Sequence, residues 1–136
     1  MPSFGKTSET RLRTCDPLLQ VLFRVVVLDF DCSIIEGRRS RKRQDFLYKD
    51  GKSQLKWPNS KHNAIAPQLS KAVDVAPYVK GRGIVWEPGP CYYFSGYVLA
   101  TAKTLGIPVR WGGDWDYDHD VLDQSFNDLV HFELKI

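Results

Sequence analysis

The segment KAVDVAPYV, residues 71–79, decides how the rest of the chain can fold. Its side chains alternate, because Val73 and Val75 point to one side of an extended backbone while Asp74 points to the other. A period of two predicts a β-strand with an apolar face. Asp74 then projects away from the face that the two valines bury, so a polar group is expected on the second side of a sheet.

Two longer segments predict helices. DPLLQVLFRVVVLD, residues 16–29, begins with Asp16 as N-cap and Pro17 at the first helical position. It is apolar on most of its face, as a central buried helix would be. PCYYFSGYVLATAKTLG, residues 90–106, is ended by Gly106 and carries an apolar stripe at helical spacing. The members of this stripe are Phe94, Val98, Ala102 and Leu105.

The remaining segments complete an α+β pattern. Ser40 caps a third helix, RKRQDFLYKDG, in which Phe46 and Leu47 are expected to face the core and Gly51 to end the helix. Short strands are predicted at residues 30–37, 109–111 and 129–136, and residues 52–70 form a long loop of the kind that is usually functional. We therefore predict one small α+β domain over residues 1–136, with a central antiparallel sheet packed against helices.

Composition limits the classes of protein that the chain can belong to. The net charge of +3 and the pI near 8.8 suit an anionic partner, without choosing among nucleic acid, a membrane surface and a wall polymer. Cys15, Cys32 and Cys91 form no C-x-x-C pair and are expected to be buried, reduced thiols. The N-terminal residues lack the apolar core of a signal peptide, and Arg24 interrupts the apolar run VLFRVVVL. We expect the chain to be made as a soluble cytoplasmic protein. We expect no stable insertion into a membrane.

The basic run GRRSRKR, residues 37–43, raises the alternative of a nucleic-acid binder. The modest net charge and an acidic loop further along the chain argue against nucleic acid as a partner. A zinc nucleobase deaminase is excluded, because Pro90 and Cys91 precede the HFE tripeptide and no second cysteine follows at the required spacing.

Three polar residues suggest a metal site. His62 lies in the loop NSKHN, His131 lies in the terminal strand DLVHFEL, and Asp74 lies on the strand described above. Two neutral imidazoles and one carboxylate recur as a catalytic zinc set, because they leave a fourth position open for water. No tight H-E-x-x-H helix pairs these residues, so their spacing alone favours ordinary satisfied or solvated side chains over a metal site.

An acidic loop carries a second pattern. In DWDYDHD the aspartates Asp114, Asp116, Asp118 and Asp120 alternate, as they do in the opening of a calcium loop. The glycine and the distant bidentate glutamate of an EF-hand are absent. Both a calcium site and a solvated acidic loop are therefore open, and His119 is expected to be a surface histidine.

Three motifs in this order, SKHN with AVDVAPY, RWGGDWD, and SFNDLVHFEL, give the chain a resemblance to a metallopeptidase family. That family holds D-alanyl-D-alanine carboxypeptidases and phage L-alanyl-D-glutamate endolysins, and its fold is hedgehog- or DD-peptidase-like. LRTCDPLLQ and EGRRSRKRQDFLYKDGKSQLKWPNS resemble the endolysin branch, so the resemblance covers nearly the whole chain. It implies that His62, Asp74 and His131 bind zinc.

The resemblance also implies roles for three further residues. Asp128, three residues before the last histidine, matches the general base, and Arg39 of the EG-x-RS pattern matches the group that stabilises the oxyanion. Ser60 matches a serine that orients the site or touches substrate, although a loop serine can equally cap a local turn. The segment from His62 to Asp74 is longer than is usual in this branch, so we expect an altered substrate-facing wall.

The implied substrate is the stem peptide of peptidoglycan, cleaved between L-Ala and D-Glu. D-alanyl-D-alanine carboxypeptidase or dipeptidase activity is the alternative within the family, and a catalytically inert metal-bound domain is disfavoured because Asp128 is present. We expect a monomer without a separate wall-binding domain. As an endolysin it would remain in the host cytoplasm until the inner membrane is breached.

Overall fold

The fold combines four helices with one antiparallel sheet. A computed structural model describes residues 2–136. The helices are α1 (Lys6–Leu12), α2 (Pro17–Val27), α3 (Arg41–Lys49) and α4 (Pro88–Leu105). The strands are β1 (Cys32–Glu36), β2 (Ala72–Val79), β3 (Gly83–Ile84), β4 (Val109–Gly112) and β5 (Asp128–Leu134). This architecture confirms the predicted α+β class.

The sheet has the order β1-β2-β5-β4, and the short β3 pairs with β2. The strands β2 and β5 are therefore central, although they are far apart along the chain. Their antiparallel register places Asp74 directly opposite His131. On the other side of β5, Arg110 of β4 lies opposite Glu133. Strand register thus gathers four polar residues into one small area of the sheet.

One face of the sheet packs against α2 and α4. The ring of Phe132 on β5 contacts Phe23 of α2 and Phe94 of α4 edge-on, at centroid distances of 5.5 and 6.3 Å. Because strand side chains alternate, the apolar residues of β2, β4 and β5 enter this core while their polar neighbours face the opposite side. The core residues of these three strands are Val73, Val75, Val109, Trp111, Phe132 and Leu134. Truncating a fully buried phenylalanine such as Phe132 to alanine would cost about 3–5 kcal/mol.

The predicted helix caps are confirmed. The Asp16 side chain accepts a hydrogen bond from the amide of Leu18, and the Ser40 hydroxyl accepts one from the amide of Arg43. Gly106 ends α4 in the left-handed conformation at φ 72°. Each cap satisfies backbone groups that the helix leaves without a partner.

Three predictions about the core are wrong. Phe46 is 56% exposed, because Leu47 and Gln44 form the buried face of α3 and Phe46 lies outside that face. The guanidinium of Arg43 lies over its ring instead. Leu105 is 41% exposed, since α4 ends there and Ile107 enters the core in its place. Helix α2 is not buried all round, because a second stripe faces solvent. The members of that stripe are Leu18, Val21, Val25 and Leu28.

Two elements escaped the sequence analysis, namely α1 and β3. The polar helix α1 packs against β1 and lacks a side-chain N-cap, and β3 has only two residues. The three cysteines are buried and unpaired as predicted, and burial raises the pKa of the Cys15 thiol to about 12. Within residues 2–136, no helix is both long and apolar enough to cross a bilayer.

Candidate metal centre

His62, Asp74 and His131, which we call the triad, converge on the sheet face that the helices leave free. Asp74 and His131 come from facing positions of β2 and β5, and His62 comes from the long loop before β2. Nε2 of His62 lies 3.0 Å from Oδ1 of Asp74 and 3.2 Å from Nδ1 of His131. The third distance, between Nδ1 of His131 and Oδ1 of Asp74, is also 3.2 Å. Three ligand atoms thus form a nearly equilateral triangle.

The outer nitrogen of each imidazole is held by an acceptor. Nδ1 of His62 donates to the backbone oxygen of Gly37 at 2.8 Å, and Nε2 of His131 donates to Oε1 of Glu133 at 2.9 Å. A carbonyl and a carboxylate can only accept, so each of these ring nitrogens carries the proton. When both imidazoles are neutral, the nitrogens that face Asp74 therefore present lone pairs.

This arrangement fits a tetrahedral metal ion. Three acceptor atoms that face one another at such short range repel unless a proton or a cation lies among them. Zinc bound to nitrogen and oxygen ligands at about 2.0–2.1 Å separates neighbouring donors by about 3.3 Å, the edge of the tetrahedron. The observed separations of 3.0–3.2 Å match that edge. The triad can hold a metal ion in the geometry that zinc prefers.

The local electrostatics favour positive charge at the triad. Burial lowers the pKa of His131, but hydrogen bonds to Asp74 and Glu133 outweigh burial and raise that pKa to about 9. For Asp74, burial acts to raise the pKa. The two imidazoles outweigh burial and hold the pKa of Asp74 well below its usual range. The same field that attracts a proton attracts a metal cation.

Asp128 lies at the first position of β5 and lines the same cavity as His62 and His131. It is paired with Gly112 at an irregularity in the β4–β5 register. A methyl group on Gly112 would collide with the backbone oxygen of Asp128, so only glycine allows the two strands to approach this closely. Burial, followed by the charge of Asp74, raises the pKa of Asp128. A carboxylate with a raised pKa is suited to accepting a proton.

Arg39 is 8% exposed and reaches the triad from the segment before α3. Its guanidinium donates twice to Glu36, at 2.7 and 3.2 Å, and once to the side chain of Gln44 at 2.9 Å. Nη2 also lies 3.8 Å from Oδ2 of Asp74. Three of its five N–H groups are therefore engaged, which fixes the plane of the guanidinium and leaves two donors for other acceptors.

Ser60 is buried two residues before His62. Its hydroxyl accepts a hydrogen bond from the amide of His62 at 3.3 Å, and its own amide donates to the side chain of Asn63 at 3.1 Å. These bonds shape the loop that presents the first histidine. Ser60 also lines the cavity, so both predicted roles, local turn and substrate contact, are compatible with its position.

A cavity of about 560 Å³ opens above the triad. One wall comes from residues 52–55 and 59–62, and the opposite wall comes from the loop after β4, including Trp115 and residues 123–126. The expectation that the longer segment after His62 alters this wall stays a prediction, although none of residues 63–73 lines the cavity itself. Residues 64–66 instead line a separate surface depression beside Arg38 and Trp57.

Comparisons with known proteins agree along the whole length of the chain. The family model for phage L-alanyl-D-glutamate peptidase matches residues 2–135. The chain belongs to this peptidase family. It is 34% identical over 139 aligned residues to the L-alanyl-D-glutamate peptidase of Escherichia phage T5, and the match covers 96% of each protein.

Two further relatives of this peptidase are bacterial. The peptidoglycan L-alanyl-D-glutamate endopeptidase CwlK of Bacillus subtilis strain 168 is 35% identical over 118 residues, covering 76% of this chain and 60% of that protein. The crystal structure of the Serratia marcescens L-Ala D-Glu endopeptidase ChiX superposes with a TM-score of 0.75 at 29% identity. That match covers 98% of this chain and 90% of the other, so the fold is shared over the entire domain.

The peptidase has a second group of candidate ligands in the acidic cluster, which we define as Asp114, Asp116 and Asp118. Their carboxylate oxygens lie within 4.8 Å of one another. Asp114 is buried, but its two oxygens already accept the backbone amides of Asp118 and His119. The other two aspartates are exposed, and Asp118 accepts the amide of Asp120. This pattern is that of a loop whose carboxylates stabilise its own turns.

The residues of the peptidase that support the triad were not predicted from its sequence. Gly37 acts through a backbone oxygen, which leaves no signal in a sequence. Gln44 is fully buried, and its amide joins Arg39 to Asn63, Ser53 and the backbone of Leu55. Glu133 could have been found, because it lies two residues after His131 on a predicted strand and therefore on the same face.

Proposed function

We propose that the chain is a zinc-dependent endolysin that hydrolyses the bond between L-Ala and D-Glu in the stem peptides of peptidoglycan. Family membership and the activities named for the phage T5, CwlK and ChiX proteins support the substrate. The observation that carries the chemistry is the triangle of three acceptor atoms, separated by 3.0–3.2 Å, at the base of an open cavity.

Zinc is the metal that this site is proposed to hold. His62, Asp74 and His131 would be its ligands, and the cavity side would remain open for water and substrate. When bound, zinc supplies a Lewis acid that polarises the scissile carbonyl and lowers the pKa of a water molecule toward about 7. A structural zinc site would more often be closed by four protein ligands, typically with cysteine, whereas all three cysteines here belong to other parts of the molecule.

Asp128 is proposed as the general base. It faces the same cavity, and its raised pKa gives it a greater affinity for a proton than an exposed aspartate has. It would accept a proton from the attacking water and pass that proton to the departing amine, so one carboxylate serves both steps. The close approach of β4 at Gly112 holds the backbone of Asp128 in place for this role.

Arg39 is proposed to stabilise the negative charge that develops on the carbonyl oxygen. Its guanidinium is fixed by Glu36 and Gln44, and two N–H groups remain for the substrate. A donor that is held rigidly beside the reacting atoms needs little reorganisation during the reaction. Lysine would keep the charge but would lose the planar fork that satisfies both fixed partners.

The cavity walls suit a stem peptide, which carries both carboxylate and amino groups. Lys52 and Lys61 lie on one wall, and Asp116 and Asp123 lie on the other. Ser60 is proposed to touch substrate while it orients the loop of His62. We further propose a monomer that remains in the host cytoplasm until lysis and then reaches the wall, with its basic surface favouring contact with anionic wall or membrane components.

The test is mass spectrometry of muropeptides after digestion of purified peptidoglycan with zinc-loaded protein. Cleavage is expected to yield peptides that begin with D-Glu, leaving L-Ala on the sugar. Release of free D-Ala instead would identify the alternative, a D-alanyl-D-alanine carboxypeptidase. The matched variant is Asp128→Asn, which should retain zinc and lose hydrolysis by about 10²–10⁴-fold. Normal cleavage by this variant would contradict the assignment of the base.

A further inference from the structure

We propose that Glu133 is a positioning residue, held by Arg110, which fixes His131 as a metal ligand and sets how tightly the triad binds zinc. This inference rests on the proposed function, which makes the triad a zinc site. It adds two residues that contact none of the three ligand atoms of the triad directly.

Strand geometry places Glu133 against His131. The two residues lie two positions apart on β5, so their side chains leave the same face of the sheet. Oε1 of Glu133 accepts the Nε2 proton of His131 at 2.9 Å. Both side chains are buried, Glu133 with 6% and His131 with 6% of the residue surface exposed. The imidazole is therefore held with Nδ1 toward Asp74.

Arg110 holds the other oxygen of Glu133. It lies directly opposite Glu133 in the β4–β5 register, and its Nη2 donates to Oε2 at 2.8 Å. Its guanidinium also lies over the ring of Trp115 at 5.7 Å, and that indole packs against the ring of His131 at 5.4 Å. Arg110, Glu133, His131 and Trp115 thus form a closed ring of contacts that restrains the imidazole on two sides.

Position 133 requires a carboxylate, because a side chain with only one acceptor oxygen cannot serve both of its partners. One oxygen must face the N–H of His131, and the other must face the cations of Arg110 and Lys61, the latter at 3.6 Å. Glutamine has a single oxygen, so its NH₂ group would meet a donor in either orientation. A carboxylate also raises the basicity of the imidazole toward a metal, as outer partners of zinc-binding histidines commonly do.

The two histidines of the triad are supported unequally. His62 donates to the neutral backbone oxygen of Gly37, whereas His131 donates to a charged side chain that is itself paired. The Nε of Arg110 is buried without a hydrogen-bond partner among the residues that the structure describes. Burying a donor in this way costs stability, while the Nη2 group of the same guanidinium stays paired with Glu133. The charged support is therefore the part of the site that substitution can weaken without removing a ligand.

The test compares Glu133→Gln with Glu9→Gln. Glu9 is a matched control, because it also pairs with two arginines, Arg13 and Arg24, but lies outside the cavity. Zinc affinity is measured by competition with a chromophoric chelator. Glu133→Gln is expected to weaken zinc binding by about 10–100-fold, and Glu9→Gln is expected to leave it unchanged. Long-range ¹H–¹⁵N correlation spectra should show the Nε2-protonated form of His131 in the zinc-loaded wild type and a different ring environment in Glu133→Gln.

An affinity for zinc that changes by less than about twofold in Glu133→Gln, with an unchanged His131 spectrum, would overturn the inference. If that variant fails to fold, Arg110→Gln carries the test, since it leaves Glu133 in place and removes its 2.8 Å donor. It should weaken zinc binding in the same direction, and an unchanged affinity would again overturn the inference. Failure of the wild type to bind zinc would instead contradict the proposed function.

Discussion

The triad and the acidic cluster are both groups of three potential metal ligands, yet they are built in different ways. The triad is buried on the central strands, and its histidines are oriented by acceptors on their outer nitrogens. Two members of the acidic cluster are exposed, and oxygens of Asp114 and Asp118 are already engaged by backbone amides of the same loop. Proximity of ligands is common to both groups. In the triad, outer partners orient both imidazoles toward Asp74, whereas the hydrogen bonds of the acidic cluster stabilise turns of its own loop.

The largest expected effect comes from the same substitution made in each group. Asp74→Asn should abolish stoichiometric zinc binding and lower hydrolysis by more than about 100-fold, because it removes a ligand rather than an outer partner. Asp116→Asn should retain zinc and most activity. Zinc content is measured by inductively coupled plasma mass spectrometry after dialysis. Loss of zinc from Asp116→Asn, with retention of zinc in Asp74→Asn, would show that the acidic cluster and not the triad binds zinc.

The next effect separates a fixed cation from a free one. Arg39→Lys should lower turnover by about 10²–10³-fold, because the buried guanidinium is proposed to meet developing charge. Lys42→Ala changes an exposed cation three residues away and should leave turnover unchanged. Steady-state kinetics on a soluble muropeptide measures both. Zinc content serves as the control that the triad is intact, and equal rates for the two variants would remove Arg39 from the mechanism.

A smaller effect is expected where β4 approaches Asp128. Gly112→Ala should displace Asp128 and lower turnover while leaving zinc bound, since the added methyl group meets the backbone oxygen of that residue. Gly96→Ala is the control, because a methyl group there meets no atom within 4 Å and alanine stabilises a helix by roughly 0.5–1 kcal/mol. The two variants are compared by turnover and by thermal unfolding. Full activity of Gly112→Ala would show that the close approach does not position the base.

The smallest effect concerns calcium at the acidic cluster, which stays a prediction. Because two of its three carboxylates are exposed and two already accept backbone amides, we expect a calcium dissociation constant of about 10⁻⁴ M or weaker. Isothermal titration calorimetry on zinc-loaded protein measures it, with Asp118→Asn as the matched variant. Micromolar calcium binding that disappears in that variant would show that the acidic cluster is a specific calcium site. Complete absence of heat would end the calcium hypothesis.

Strand alternation and helix N-caps were the features of the fold that the sequence predicted well. Alternation around Asp74 predicted both the strand and the face on which the polar group lies, and Asp16 and Ser40 predicted helix starts. The sequence could not show which of two adjacent apolar residues, Phe46 or Leu47, turns inward, because tertiary packing decides that choice.

The supporting groups of the site were harder to predict than its ligands. The oxygen of Gly37 belongs to the backbone, and the pairing of Arg110 with Glu133 depends on a strand register that no local pattern encodes. For the acidic cluster the sequence pattern was clear, but it did not show how the carboxylates are used. Its D-x-D-x-D spacing gave a clear pattern, but only the structure reveals that the carboxylates of Asp114 and Asp118 accept hydrogen bonds within their own loop.

The most direct test of the triad is anomalous diffraction at the zinc absorption edge from crystals grown with one equivalent of zinc. We expect a single strong peak about 2.0–2.2 Å from Nε2 of His62, Oδ1 of Asp74 and Nδ1 of His131, with the fourth position facing the cavity. A peak at the acidic cluster with none at the triad would contradict zinc binding by His62, Asp74 and His131.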